Sequence, residues 1–397
     1  MYHYIDYTDE KILNNDHKTN KKLNLSYWEI STVTDPDQVV IIGAGMVGLH
    51  TAIRYKKDHP DEKVIILERA ARPYGASTRN AGFACFGSVS EILADLDKMK
   101  EEEVIDLIRL RYLGLEETLH MTGRKPIHYD DGGGYEVFYA EDETLFSSCQ
   151  DRLPYCNDLV YQACGLEHTY SLQTEHCLHT ELPLIKNRYE GSLNPALLVQ
   201  HLITMAYQLG IHILWGCEVS SIDGEHSSLD TLWRIKVPYR KLAVCTNAFT
   251  RNLFPDIDLS PGRNIVGVTK PITGASLQGC YHYDEGYIYF RSIEDRLLIG
   301  GARNRWEERE RTADFGLEQD IQDYLTRFIH EKIYPDKEVS METWWSGILA
   351  TGPGKKPIIE FIPECNAVLA VRMGGMGVAI APSVGKKAAD LMGKLTS

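Results

Sequence analysis

A chain of 397 residues predicts two to three domains at roughly 150 residues each. With 43% apolar and 25% charged residues it has material for a core, which excludes a disordered chain and a coiled-coil rod. Asp+Glu outnumber Lys+Arg by 56 to 42, and a net charge of −14 repels nucleic acid and anionic membrane surfaces.

Residues 1–37 are polar and lack the apolar core of about 7–15 residues that a signal peptide needs. We read them as an extension that packs on the main body through Tyr27 and Trp28. No apolar run approaches about 18 residues, so no membrane-spanning helix is expected. The 9 cysteines are odd in number and scattered, without a CxxC pair, which suits reduced thiols in a cytoplasmic protein. Neither His nor Cys clusters at ligand spacing along the chain, so no metal site is expected.

Residues 38–42 (QVVII) read as a buried strand after the turn Asp35-Pro36-Asp37. Gly43-Ala44-Gly45-Met46-Val47-Gly48 follows, then a helical pattern over residues 46–58 and a second apolar strand over 63–67 ending at Glu68. This strand–turn–helix–strand unit is a dinucleotide-binding pattern. Gly43 permits the tight turn, Gly45 lets the backbone approach a pyrophosphate, and Gly48 lets helix and strand pack closely. The helix N-terminus, which Met46 and Val47 open, faces the phosphates with free N–H groups and partial positive charge. Glu68, at a strand end, can accept hydrogen bonds from ribose hydroxyls and repels a 2′-phosphate.

Further on, residues 90–123 have helical periodicity. Gly132-Gly133-Gly134 is a turn before alternating Tyr135, Val137 and Tyr139. Tyr287, Tyr289 and Arg291 alternate on an expected strand and so face one side. Gly374, Gly375 and Gly377 precede an apolar segment, 378–391, that reads as a helix with Pro382 in its first turn.

Residues 75–82 (GASTRNAG) resemble the flavin-contacting loop of the D-amino-acid-oxidase-like (DAO) superfamily, which includes glycine oxidase, sarcosine oxidase, gamma-glutamylputrescine oxidase and D-amino-acid dehydrogenase. The resemblance continues in order along the chain. It takes in residues 190–195 with the helix expected over 195–209, and the strand 211–219 whose end meets adenine. It continues through 242–249 (LAVCTNAF), the hairpin 287–303, Trp345-Ser346-Gly347, 356–359 and 373–377.

The resemblance implies an α/β chain, α+β overall, with a Rossmann-like FAD-binding domain interleaved with a substrate domain on a mostly antiparallel sheet. The former would use residues 38–95, 190–250 and 345–397; the latter, 96–189 and 251–344. It implies non-covalent FAD, held by Gly43, Gly45, Met46, Val47, Gly48, Glu68, Arg69, Ala76, Ser77, Arg79, Asn80, Ala81, Gly82, Val219, Thr246, Asn247, Gly347, Gly374, Gly375, Met376, Gly377 and Val378. It also implies hydride transfer to flavin N5 from a neutral small-molecule amine or amino acid, with hydrolysis of the imine. Tyr287, Tyr289 and Arg291 read as a substrate wall or equally as ordinary sheet packing, and Arg291 or Arg303 would supply a carboxylate clamp. Cys85 lies near the flavin loop and reads as packing, His282 and Lys270 as structural or solvated groups, and Trp344 and Trp345 as core.

Departures from the family pattern are specific. Leu349 and Ala379 stand where relatives carry substrate-clamping basic residues, Trp345 stands near a flavin-attaching Cys, and Leu298 near an oxygen-activating Lys. The family alternative is oxidation of a 2-hydroxyacid C–O bond; a different class is a non-catalytic flavoprotein.

Overall fold

The computed structural model describes residues 26–274 and 276–395. Val39–Ile42 is buried at all four positions and pairs in parallel with Val64–Glu68 and Lys241–Val244, as befits a strand covered on both faces. The whole sheet has six strands, in the order Ile358–Ile362, Ala367–Val371, Lys241–Val244, Val39–Ile42, Val64–Glu68, His212–Trp215. Only the Ile358–Ile362 edge is antiparallel. Alternation along the strands divides the core. Val39, Ile41, Val64 and Ile66 pack under the helices Met46–Asp58, Pro195–Gln208 and Gly377–Lys394. Val40, Ile42, Ile65 and Leu67 pack against the three-stranded sheet of Val219–Asp223, Ser228–Thr231 and Lys236–Pro238.

A second, eight-stranded sheet runs Met341–Thr351, Ser260–Thr269, Arg296–Gly301, Ile288–Ile293, Cys280–Tyr283, Gly134–Glu136, Leu184–Asn187, Tyr170–Gln173. Its pairs are antiparallel except the one between Cys280–Tyr283 and Gly134–Glu136. One face packs Ile265, Phe290 and Ile299 against the helix Gln319–Phe328 and the π-turn Ile329–Ile333. The other carries Val266, Tyr289, Leu298 and Trp345 toward the first sheet.

Several expectations need correction. Tyr27 and Trp28 are 75% and 76% exposed, so they do not anchor the N-terminal segment; Val33 does, being 3% exposed. Most of the extension, residues 1–25, lies outside the described residues. The helical tract 90–123 is two helices, Val89–Leu96 and Glu101–Thr122. Lys100 is extended at the break, and three successive glutamates favour a new N-terminus after it. The expected strand 211–219 stops at Trp215, where Gly216 takes φ +73°, and Val219–Asp223 joins a different sheet. In 242–249 the strand ends at Val244, and Asn247–Asn252 coil into a 3-10 turn. Tyr287 precedes its strand, which begins at Ile288. Pro382 lies inside the helix Gly377–Lys394 rather than in its first turn, because the helix already starts at Gly377. The eight-stranded sheet takes all of Met341–Thr351, past the expected boundary at 345.

Candidate active site

One continuous cleft runs from the C-terminal ends of the parallel strands to the inner face of the eight-stranded sheet. At its first end Gly43 takes φ +104°, and a Cβ there would stand 2.8 Å from the Cys245 carbonyl. Gly45 precedes the helix Met46–Asp58 and has no side chain to cap it. The Ser77 hydroxyl accepts the Met46 N–H at 2.9 Å, so the flavin-loop segment already reaches this helix terminus. Gly48 does not line the cleft. A Cβ on it would come within 1.9 Å of the Gly43 oxygen, so its role is to seat the helix on the turn. Glu68 lines the cleft and is held at both oxygens, accepting Ala44 N–H at 2.8 Å and Ala70 N–H at 3.0 Å. Arg69 stacks its guanidinium 3.7 Å from the Phe249 ring centre, and Glu218 and Val219 line the same end.

In the middle, the short helix Ala76–Arg79 brings Ala76, Ser77, Arg79, Asn80 and Ala81 to the wall. Arg79 donates Nε–H to the Ser346 carbonyl and lies over the rings of Tyr74 (4.6 Å) and Phe315 (5.3 Å), and burial lowers its pKa. Its own carbonyl accepts the Trp345 indole N–H at 3.0 Å. Asn80 caps its loop, accepting Gly82 N–H at 2.8 Å and donating to Ala76 and Ser77 carbonyls at 3.0 Å. Gly82 itself is turned away, with φ +74° and the Leu193 carbonyl where a Cβ would stand. Thr246, Asn247, Gly347, Gly374, Gly375, Met376, Gly377 and Val378 all line the cleft. Gly375 takes φ +87° and has open space where a Cβ would stand.

At the sheet end, Tyr287, Tyr289 and Arg303 line the cleft. The Tyr289 oxygen accepts from Asn264 Nδ2 at 2.9 Å, which leaves the phenolic proton to be donated elsewhere. Burial raises the Tyr289 pKa, so that proton stays in place at neutral pH. Asn264 Oδ1 is buried without a hydrogen-bond partner among the described residues. Arg303 lies 5.5 Å from the Tyr287 ring centre.

Arg291 is the exception among the expected wall residues. It does not line the cleft. Its guanidinium donates to the Ala81 carbonyl (2.8 Å), Ser192 Oγ (3.1 Å) and the Leu193 carbonyl (3.1 Å), pinning the loop Arg79 belongs to.

Other lining groups escaped the sequence pattern. Lys355 bridges Asp95 at 2.7 Å and Glu91 at 3.2 Å, and Arg111 adds a contact to Glu91 at 3.3 Å. Burial would raise the Glu91 pKa, but Arg111 and Lys355 outweigh it and hold the carboxyl at about 2. Lys355 belongs to a turn with no periodic signal. Cys85 is 2% exposed yet reaches the cleft, as does His282, whereas Lys270 is exposed and does not. Cys85, Glu190 and His282 have ligand atoms all within 4.8 Å of one another, a cluster that chain spacing does not reveal. Among the described residues no helix is long and apolar enough to cross a membrane.

The sequence matches the profile of a family described as "DAO: FAD dependent oxidoreductase" over residues 38–391. No curated protein sequence matches significantly. Among solved structures, L-proline dehydrogenase from P. horikoshii is similar at a TM-score of 0.73 and 16% identity, covering 92% of this chain and 95% of that one. Iminodiacetate oxidase from Chelativorans sp. BNC1 is similar at TM-score 0.72 and 17% identity, over 90% and 95% of the two chains. Glycine oxidase from Geobacillus kaustophilus gives 0.70 and 19%, over 91% and 95%. Identities this low carry the fold alone.

Proposed function

Because this chain belongs to the DAO family of FAD-dependent oxidoreductases, we propose that it oxidises the C–N bond of a small amine or amino acid. The cleft fits the cofactor. The Gly43 turn has no room for a side chain, the terminus of Met46–Asp58 opens on the cleft, and Glu68 stands at the end of the second strand. The second helix terminus, at Gly377, opens beside Gly375 and offers partial positive charge to an anionic group. The observation that carries the reading is continuity. The same cleft that holds these nucleotide-type features ends on Tyr287, Tyr289 and Arg303.

Bound there, FAD supplies the acceptor for a hydride from the carbon beside the amine. The protein's part is to bind and orient. Tyr289 keeps its proton and is steadied by Asn264, so it donates a hydrogen bond to substrate. Arg303 offers a cation to a substrate carboxylate, in place of the basic residues that Leu349 and Ala379 replace. The desolvated sheet end favours the neutral amine, because burial disfavours an ammonium. Trp345 in place of an attaching Cys supports non-covalent FAD. The names of the similar structures, acting on proline, iminodiacetate and glycine, support an amino- or imino-acid class of substrate.

The test is anaerobic mixing of the flavin-loaded protein with a panel of amines, N-methyl amino acids, D- and L-amino acids and 2-hydroxyacids, followed at the visible flavin band. Bleaching by an amine or amino acid is expected. Bleaching by hydroxyacids alone would overturn the C–N assignment, and no bleaching by any of them would point to a non-catalytic flavoprotein. Readmitting oxygen then separates an oxidase from a dehydrogenase.

A further inference from the structure

Three distant segments meet beside the cleft. Cys85 follows the short strand Phe83–Ala84, Glu190 precedes Gly191–Ser192, and His282 lies within Cys280–Tyr283. Their thiol, carboxylate and imidazole atoms lie within 4.8 Å of one another.

Each group arrives with bonding capacity unfilled. His282 Nε2 is fully buried and has no hydrogen-bond partner among the described residues. Its nearest carboxylate atom, Glu190 Oε2, is 3.7 Å away, too far for a hydrogen bond. Glu190 is 1% exposed, and its other oxygen accepts Phe86 and Gly87 N–H at 2.8 and 3.0 Å. Those two bonds fix the carboxylate with Oε2 turned toward the imidazole. The Cys85 sulfur has only long contacts, 3.9 Å to the Gly191 carbonyl and 4.0 Å to the Cys280 sulfur. A buried, unpaired polar atom is costly, so a group that satisfies the imidazole nitrogen is favoured.

A tetrahedral cation bound at about 2.0–2.3 Å spaces its ligand atoms roughly 3.3–3.8 Å apart, the upper end belonging to sulfur. The 3.7 Å His282–Glu190 separation exceeds the roughly 3.3–3.5 Å of a nitrogen–oxygen ligand pair by a few tenths of an ångström, a gap that a side-chain rotation closes. The donor set selects the metal. Thiolate, imidazole and carboxylate together suit zinc, whereas calcium and magnesium need all-oxygen shells. One thiolate and one carboxylate neutralise a divalent ion, which a site this buried requires. The backbone N–H groups on Glu190 supply the outer-shell support that metal carboxylates ordinarily have.

We propose that Cys85, Glu190 and His282 bind one zinc ion, with a fourth position open to the cleft. Cys85 and His282 line that cleft, so the open position takes a lone-pair donor there, such as a carboxylate or an amine. On binding, the thiol proton leaves to solvent and the thiolate replaces it with the metal. The identity of the fourth ligand rests on the C–N reading; the three protein ligands do not.

The flavin-loaded full chain is stripped with a chelator, equilibrated with zinc chloride, and analysed for zinc and flavin per chain. One zinc per chain is expected, with flavin content unchanged. Cys85→Ser and His282→Gln should each lower zinc affinity at least about tenfold, since even outer-shell changes cost that much. An X-ray absorption spectrum of the zinc-loaded wild type, which needs no variant, should show one sulfur with nitrogen and oxygen neighbours. Failure to retain stoichiometric zinc overturns the site, as does equal retention by both variants or a first shell without sulfur. None of these outcomes depends on which substrate bleaches the flavin.

Discussion

His50 lies within Met46–Asp58 at 4% exposure, and burial, with a smaller effect of Lys57, lowers its pKa from 6.5 to about 3. Between those values the unfolded chain binds a proton that the folded chain does not. Stability therefore falls as pH drops from 6.5 toward 3, by roughly 1.4 kcal/mol per pH unit, and is flat with respect to this group above 6.5. His50→Gln removes the titration. The loss of urea midpoint between pH 7.5 and pH 5 should be smaller in this variant than in wild type. An equal loss in both would mean other groups carry the acid sensitivity. The same residue scale separates two arginines that the sequence treats alike. Arg291 donates three hydrogen bonds to the loop and the 192–193 segment, whereas Arg303 faces the cleft. Arg291→Ala should lower thermal stability and flavin retention, with KM of the flavin-loaded fraction unchanged. Arg303→Ala should keep the fold and raise KM at least about tenfold for a carboxylate substrate, the range for losing a charged hydrogen bond of about 1.5–3 kcal/mol. The reverse pattern would return the clamp to Arg291.

At the scale of elements, what is local in the chain was legible. The first strand, the Gly43–Gly48 turn and the helix Met46–Asp58 read directly from β-branched runs, glycine spacing and period, and Pro195–Gln208 nearly so. Alternation also placed Tyr289 and Arg291 on one face of Ile288–Ile293. It could not say what that face meets, and the two side chains go to different neighbours because the Arg291 guanidinium is drawn to the Ala81, Ser192 and Leu193 oxygens. Boundaries failed where a turn hides inside an apolar run, as at Gly216, or between charged helix-forming residues, as at Lys100. Site residues failed where contact is non-local. Lys355 meets Asp95 and Glu91 from a turn far along the chain, and Asn264 meets Tyr289 from a different strand. The cluster of Cys85, Glu190 and His282 is the extreme case, since its three members share no segment.

For the molecule as a whole, the cleft draws its walls from both large sheets, so cofactor binding couples them. Ligand that binds only the folded state stabilises by about 2.7 kcal/mol at a hundredfold excess over Kd. FAD-stripped protein should therefore melt lower than the reconstituted form, and reconstitution should raise near-UV and far-UV transitions together. Two separate transitions in the flavin-loaded protein would show the sheets to be uncoupled. The distribution of strands has a further consequence. The eight-stranded sheet consists of an antiparallel block from residues 260–351 and another from 134–187, joined only where Cys280–Tyr283 meets Gly134–Glu136. Pairings within each block close shorter loops, the longest from Ser260 to Thr351, than the seam, which joins Gly134 to Cys280. Closure of long loops is the slow part of folding. Within this sheet the seam is then the last pairing to close, and because it carries His282, a sheet in mid-assembly holds no finished cleft.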